Sequence, residues 1–152
     1  DCFLLESIGQ NHVTARFSFI GRNPFISFKS LNDEITISDY TGKTNTYKGK
    51  PMEELEKLIE KYKAPKLENI PSFNGGAVGF FAYDIIRQYE HLPNINQDDL
   101  HLPDMHFMLM DEIIAFDHMR QKIVIIVNIH AEGDIENQSK RQQADYLTFS
   151  RK

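Results

Sequence analysis

Residues 35–62 read ITISDYTGKTNTYKGKPMEELEKLIEKY, and the hydrophobic period changes in the middle of this stretch. Ile35 and Ile37 alternate with hydroxyl residues, which is the period-two pattern of a strand with one buried face. Residues 40–43 supply a turn, and residues 44–48 continue as a polar, threonine-rich strand. The first half of the stretch therefore predicts a β-hairpin with one solvated face.

The second half predicts an amphipathic helix. Pro51 suits the first turn of a helix, where its missing N–H costs nothing, and Pro65 ends the element. Apolar residues recur at spacings of three and four, which places them on one face: Met52, Leu55, Leu58, Ile59 and Tyr62. Glu53 and Lys57 can pair on the opposite face. We interpret this charged face as solvated surface rather than as a set of catalytic carboxylates.

The segments on both sides of this stretch are strand-like. Upstream, residues 16–20 and 25–29 are aromatic runs separated by a Gly-Arg-Asn-Pro turn signal, so they predict another hairpin. The apolar run 123–127 predicts a central strand covered on both faces. The other predicted elements are a buried strand at 77–83, a short helix at 84–90 headed by Asp84, long strands at 105–116 and 122–130, and a terminal helix near 146–149. This order predicts a single α+β domain over residues 1–152, with mainly antiparallel, sandwich-like sheets and a few packed helices.

The composition excludes several classes of partner. The 152-residue chain has 17 Lys and Arg against 22 Asp and Glu, a formal net charge of −5, and no basic cluster. Nucleic acids and anionic membranes bind such clusters, so we expect neither as a partner. The longest apolar stretch is far shorter than the roughly 20 residues of a spanning helix, and we expect a cytoplasmic protein. The single cysteine, Cys2, cannot form an internal disulfide.

No catalytic constellation is visible in the residues. Gly75, Gly76 and Gly79 are followed by aromatic residues instead of Gly-Lys-Ser/Thr, so they predict close backbone packing or a bulge and not a phosphate loop. The six histidines are scattered, and none has the short spacing that closes a zinc site. No Gly-x-Ser-x-Gly nucleophile elbow occurs. We expect no catalytic residue and no metal site in this chain.

Three segments resemble a known family in order and spacing. They are FLLES at 3–7, ARFSFIG at 15–21, and P-x-F-x-GGAVGFFAYD at 71–84. Weaker matches follow at Arg87, at EHLP in 90–93, at Pro103-Asp104 and at FDH in 116–118. Together they resemble the N-terminal domain of the anthranilate synthase large subunit (component I) and its close relative, the large subunit of aminodeoxychorismate synthase.

The resemblance implies a function for the whole subunit. Members of the family bind chorismate with Mg²⁺ in the C-terminal half, add ammonia, and release pyruvate to give anthranilate. The ammonia comes from a glutamine amidotransferase small subunit, component II. The resemblance implies that residues 1–152 are the N-terminal regulatory domain, without the C-terminal chorismate-binding domain and inactive alone. Two alternatives stay open: the folate-pathway aminodeoxychorismate synthase component I, and a free-standing, non-catalytic binding domain.

In feedback-regulated members, tryptophan binds between the N-terminal domain and the other half, using the Leu-Leu-Glu-Ser segment. The resemblance therefore places the regulatory L-tryptophan site at Ser7, Arg16 and Leu5. A bound zwitterion needs a donor for its carboxylate, an acceptor for its ammonium and an apolar slot, because an unpaired buried charge is very costly. Leu5 supplies a wall, the Ser7 hydroxyl donates and accepts, and Arg16 is a fixed cation. We interpret Glu6 as a structural or surface carboxylate.

Overall fold

The computed structural model of the protein describes residues 1–6, 15–63, 70–93 and 98–129. Its elements are β1 (Cys2–Glu6), β2 (Phe17–Arg22), β3 (Ile26–Leu31), β4 (Glu34–Asp39), β5 (Thr44–Lys48), α1 (Pro51–Lys61), β6 (Gly76–Phe81), a 3₁₀ helix (Tyr83–Gln88), β7 (Met105–Met110), β8 (Glu112–Asp117) and β9 (Lys122–Val127). All strand pairs are antiparallel and form a four-stranded sheet of order β1-β2-β8-β9 and a five-stranded sheet of order β5-β4-β3-β7-β6. The predicted α+β class, dominated by antiparallel sheets, is confirmed.

Two apolar clusters hold these layers together. The first lies between the sheets and joins Phe3, Ile113 and Ile126 of the four-stranded sheet to Met110 at the end of β7. The second lies on the other face of the five-stranded sheet, where α1 packs. Its buried members are Phe28, Ile35, Leu55, Met105 and Phe107. Within the described residues, the five-stranded sheet is thus covered on both faces and the four-stranded sheet on one.

The hairpin and the helix predicted from residues 35–62 are confirmed. Strands β4 and β5 pair from Glu34–Lys48 to Ser38–Thr44. In the turn, the Asp39 carboxylate accepts hydrogen bonds from the backbone N–H groups of Thr41 (2.9 Å) and Lys43 (3.1 Å). The helix begins at Pro51 and buries Leu55. Its predicted ion pair is wrong in detail, because Lys57 contacts Glu54 and Glu53 contacts Lys50.

The predicted hairpin of residues 16–20 and 25–29 is wrong. These residues form β2 and β3, but β2 pairs with β1 and β8 while β3 pairs with β4 and β7. The turn signal between them carries the chain from one sheet to the other, and Asn23 has a positive φ of 54° there. Local turn chemistry predicts a change of direction, but the pairing partners of each strand depend on distant segments.

The long strand predicted at 105–116 is also divided between the sheets. Asp111 separates β7 in the five-stranded sheet from β8 in the four-stranded sheet. Its carbonyl accepts a hydrogen bond from the backbone N–H of Asn128 at 2.8 Å. Burial raises the pKa of the Asp111 carboxyl. The charged pair Asp111-Glu112 separates the apolar runs 105–110 and 113–116, but a charged pair alone does not show whether one strand continues or two sheets are served.

Two strands predicted to be buried are edge strands. The run 123–127 belongs to β9, at the edge of the four-stranded sheet, and Ile123 is 61% exposed. Strand β6 is the edge of the other sheet and leaves Phe80 and Phe81 exposed. An apolar run favours burial of its side chains, but no described residue covers the exposed side chains of these two strands.

The remaining local predictions had mixed outcomes. Close packing is confirmed at Gly79, where a Cβ would lie 2.7 Å from Phe107 Cα, and at Gly75, where it would lie 2.6 Å from Asn128 Nδ2, but it is wrong at Gly76, where a Cβ would meet open space. The short helix is present in 3₁₀ form, but Asp84 does not cap it and accepts a hydrogen bond from Arg87 Nε at 2.8 Å. The predicted terminal helix lies outside the described residues. None of the described helices is long and apolar enough to cross a membrane.

Candidate functional site

Two of the three predicted site residues, Leu5 and Arg16, lie at one end of the four-stranded sheet. The register of β1 and β2 pairs Glu6 with Ser18, so the end of β1 lies beside the start of β2. Leu5, near the end of β1, is 43% exposed, and Arg16 directly precedes β2. Ser7 lies outside the described residues, in the 7–14 segment that joins these two ends. The structure therefore brings Leu5 and Arg16 to the same end of the sheet and does not describe the position of Ser7.

Arg16 is held by an ion pair with Asp117 of β8. Its Nε donates to both carboxylate oxygens at 3.2 Å, and its Nη2 donates to Oδ2 at 2.7 Å. The Asp117 carboxylate is almost fully buried and also accepts the backbone N–H of Arg120. The bonds from Arg16 lower the pKa of Asp117 from its usual 3.8 to about 2. The guanidinium also lies 4.6 Å from the centre of the Phe17 ring. The Arg16 guanidinium is thus held in place, and its charge already has a partner in Asp117.

A second polar group links β1, β2 and the turn after β8. Ser18 Oγ lies 2.7 Å from His118 Nε2 and 3.5 Å from Glu6 Oε1. A hydroxyl has one proton, so Ser18 can donate to Glu6 only while it accepts from the Nε2–H of His118. The backbone N–H of His118 donates to the Arg16 carbonyl at 2.9 Å. The turn after β8 is therefore hydrogen-bonded to the residue before β2, and through Ser18 to Glu6 at the end of β1.

This geometry does not fit a serine hydrolase. In a catalytic triad the acid orients the histidine, which in turn activates the serine. Here Glu6 contacts the serine instead, and Ser18 is only 6% exposed. Within the described ranges, no three His, Cys, Asp or Glu side chains come together as a metal site. The arrangement links β1, β2 and β8 at this end of the sheet and leaves the Leu5 side chain 43% exposed.

Sequence reasoning missed three residues that take part in these contacts: Ser18, Asp117 and His118. Asp117 lies 101 positions from Arg16 along the chain, and His118 lies 100 positions from Ser18. The family resemblance includes ARFSFIG at 15–21 and FDH at 116–118, but the order of motifs does not show that these two segments touch, and His118 looked like one of six scattered histidines. Only the pairing of β2 with β8, which sets Phe17 opposite Asp117, brings the groups together.

Comparison with known proteins assigns the chain to a family. The family model described as "chorismate binding enzyme" matches residues 1–150, so the chain belongs to the family of chorismate-binding enzymes.

Relatives within the family are more specific. The chain is 47% identical over 135 residues to anthranilate synthase component 1 of Acetivibrio thermocellus, covering 89% of this chain and 27% of the relative. It is 34% identical to the Saccharomyces cerevisiae protein of the same name, covering 97% of this chain and 27% of that relative. The crystal structure of anthranilate synthase component I from Streptococcus pneumoniae superimposes with a TM-score of 0.66 at 32% identity, covering 96% of this chain and 31% of that one. The chain thus spans less than a third of the length of each of these relatives.

Proposed function

We propose that this chain is the N-terminal portion of an anthranilate synthase component 1, which converts chorismate and ammonia to anthranilate and pyruvate. The observation that carries the proposal is the 47% identity over most of the chain to a protein of that name. The named relatives from a second bacterium and from yeast are also anthranilate synthases, which favours this pathway over aminodeoxychorismate synthesis.

The catalytic groups belong, in this proposal, to the rest of the subunit. The described residues offer no cluster of acidic or histidine side chains suited to Mg²⁺. We therefore assign Mg²⁺ and chorismate to the C-terminal chorismate-binding domain, and ammonia supply to the glutamine amidotransferase small subunit. The part described here is expected to be inactive alone. A cytoplasmic location stays a prediction from the sequence.

The regulatory part of the proposal places L-tryptophan at the end of β1. The exposed Leu5 side chain offers an apolar wall, and Ser7 follows it by two positions. The Arg16 guanidinium has five N–H donors. Its three contacts to Asp117 use the N–H groups on Nε and Nη2, and none of these contacts uses Nη1. A ligand carboxylate would thus meet a rigid donor whose charge is partly compensated.

Binding at this place acts as a switch only through a difference in affinity. Tryptophan shifts the balance between an active and an inactive arrangement of the subunit by the ratio of its affinities for the two. Because Arg16 is bonded to β8 and Glu6 is bonded to β2, the end of β1 is attached to the sheet, and a change there would be transmitted to β8.

The first experiment concerns Ser7. In the longer protein, Ser7→Ala should raise the tryptophan concentration needed for half inhibition while leaving the uninhibited rate of anthranilate formation unchanged, because the proposal gives the hydroxyl a role in binding the inhibitor and none in the reaction. Ser38→Ala is the matched control, since Ser38 lies on β4 in the other sheet. Full sensitivity of Ser7→Ala would refute the site, whereas formation of aminodeoxychorismate would refute the pathway.

A second pair of variants separates ligand binding by Arg16 from its structural role. Arg16→Gln removes the guanidinium, and Asp117→Asn removes its ion-pair partner but keeps the guanidinium. If Arg16 binds the tryptophan carboxylate, Arg16→Gln weakens inhibition and Asp117→Asn preserves or strengthens it, because the arginine charge is then uncompensated. Equal weakening by both variants would mean that Arg16 acts only through the ion pair.

A further inference from the structure

The face of the five-stranded sheet that lies away from α1 is only partly covered by described residues. On β7 and β6, the paired residues Met108 and Val78 pack in the apolar cluster between the two sheets. Side chains on one face of a strand recur at every second residue, so His106 and Phe80 lie on this same face. They pair with each other, but Phe80 is not part of that cluster and is 42% exposed. We call the uncovered part of this face the polar patch, and its members are Ser27, Lys29, Thr36, Thr46, His106 and Phe80.

Five members of the polar patch form one row across the sheet. The registers pair Thr46 with Thr36, and Thr36 with Lys29. On the other side of Lys29 they pair it with His106, which in turn pairs with Phe80. The hydroxyls of Thr36 and Thr46 lie 3.2 Å apart. Since directly paired residues have Cβ atoms about 5 Å apart, the row presents two hydroxyls, an ammonium group, an imidazole and an aromatic ring in close succession.

Lys29 is the charged centre of this row. It lies on β3, the middle strand of the sheet, and its side chain is exposed. Among the described residues, Lys29 forms no hydrogen bond and no ion pair. Neither residue paired with it is acidic, and the one carboxylate that the described strands carry on this face, Glu34, is paired with Lys48. The ammonium group therefore keeps its donors and its charge available to a ligand.

His106 adds a second polar group beside this ammonium. Its Nε2 lies 3.3 Å from the Ser27 hydroxyl, and its Nδ1 has no hydrogen-bond partner in the part of the chain that the structure describes. The Phe80 ring packs edge-on against the imidazole, with the ring centres 6.2 Å apart. Burial lowers the pKa of His106, and the positive charge of Lys29 lowers it further. An anion held at Lys29 would offset that charge and raise the pKa of His106.

We propose that the polar patch binds a small oxyanion, the carboxylate or phosphate group of a metabolite, at Lys29 and His106. The ammonium supplies the charge and up to three donors. When Ser27 donates to Nε2 of the neutral imidazole, the imidazole proton is on Nδ1, which is then a further donor. The exposed Phe80 ring offers an apolar surface to the body of the ligand. A single available cation suits a small anion and not a nucleic acid, whose binding needs many phosphate contacts. This site is independent of the function proposed for the longer subunit.

The pKa of His106 in the longer subunit tests the site without any activity assay. Histidines labelled at Cε1 are followed by NMR across pH, and His106→Gln assigns the resonance. Sulfate, whose charge is constant where histidine titrates, stands in for phosphate, and benzoate supplies a carboxylate joined to a ring. At constant ionic strength each anion should raise the pKa of His106 until binding saturates. No rise, or an equal rise with chloride, would overturn the site. Tighter binding of benzoate would assign a carboxylate ligand, and tighter binding of sulfate a phosphate ligand.

Three variants assign the binding to named side chains. Lys29→Gln should raise the dissociation constants of both anions about tenfold, which is the loss expected for one charge-assisted hydrogen bond. Lys43→Gln, at an exposed lysine of the β4–β5 turn, is the matched control and should leave them unchanged. Phe80→Ala should weaken benzoate more than sulfate, because only benzoate has a ring to place on Phe80. Binding that survives Lys29→Gln, or that weakens equally in both lysine variants, would overturn the proposal.

Discussion

Gly21 lies opposite Phe3 in the register of β1 and β2, and the Phe3 ring occupies the space that a side chain at 21 would need. A Cβ on Gly21 would stand 2.8 Å from Phe3 Cζ and closer still to Cε1. Phe3 cannot simply yield, because it is 9% exposed and its ring packs edge-on against Phe73 at 6.1 Å. Overpacking of this kind costs about 1–3 kcal/mol. Replacing a strand glycine by alanine returns roughly 0.5–1 kcal/mol of backbone entropy.

The net expectation for Gly21→Ala is a destabilisation of about 1–2 kcal/mol, which corresponds to roughly 2–8 °C in a chain of this size. Urea and thermal unfolding followed by circular dichroism measure it. The decisive control is the same change in a Phe3→Leu background, where the ring is gone. There the steric term disappears, and Gly21→Ala should be neutral or slightly stabilising. An equal loss in both backgrounds would refute the assignment of the cost to the Phe3 ring.

Two further predictions concern the core and the ion pair. Leu55→Ala should destabilise the protein by about 2–5 kcal/mol in urea unfolding, because the Leu55 side chain is buried between α1 and the five-stranded sheet. Ile59→Ala, one turn later in the same helix at a side chain that is 44% exposed, should cost under about 1 kcal/mol. Comparable losses at both positions would contradict the packing described. The folded-state pKa of Asp117 is depressed, so its ion pair stabilises the protein above about pH 4 and loses this effect as the pH falls toward 2. The stability difference between wild type and Asp117→Asn should therefore shrink over that range, and a difference that is constant with pH would show that the carboxylate charge is not the cause.

Local patterns in the sequence were sufficient for elements whose causes are local. Residues 35–62 contain nearly all of both strands, the turn and the helix. The residues that pair in the β4–β5 hairpin are therefore close to one another along the chain. Pro51 marks the helix start through its own covalent geometry. The family resemblance likewise depended on ordered motifs and needed no coordinates.

The failures share a different cause, which is long-range pairing. Residues 16–29 look like a hairpin because a turn signal separates two aromatic runs, yet β2 pairs with β8, about a hundred residues later. The run 105–116 was predicted as one strand although Asp111-Glu112 interrupts it, and it serves two sheets. The Arg16–Asp117 pair depends on the same long-range register, so no inspection of either neighbourhood could have found it.

By itself, the sequence determined the α+β class, the β4–β5 hairpin, helix α1 and the family, because hydrophobic period, turn chemistry and motif order are properties of short segments. Only the tertiary structure decided which strands are edges, that Arg16 already has a carboxylate partner, and that apolar side chains of the four-stranded sheet such as Leu4 and Ile123 are exposed among the described residues. The physical reason is that an apolar residue requires burial but does not specify against what, and a charged residue requires a partner but does not specify which.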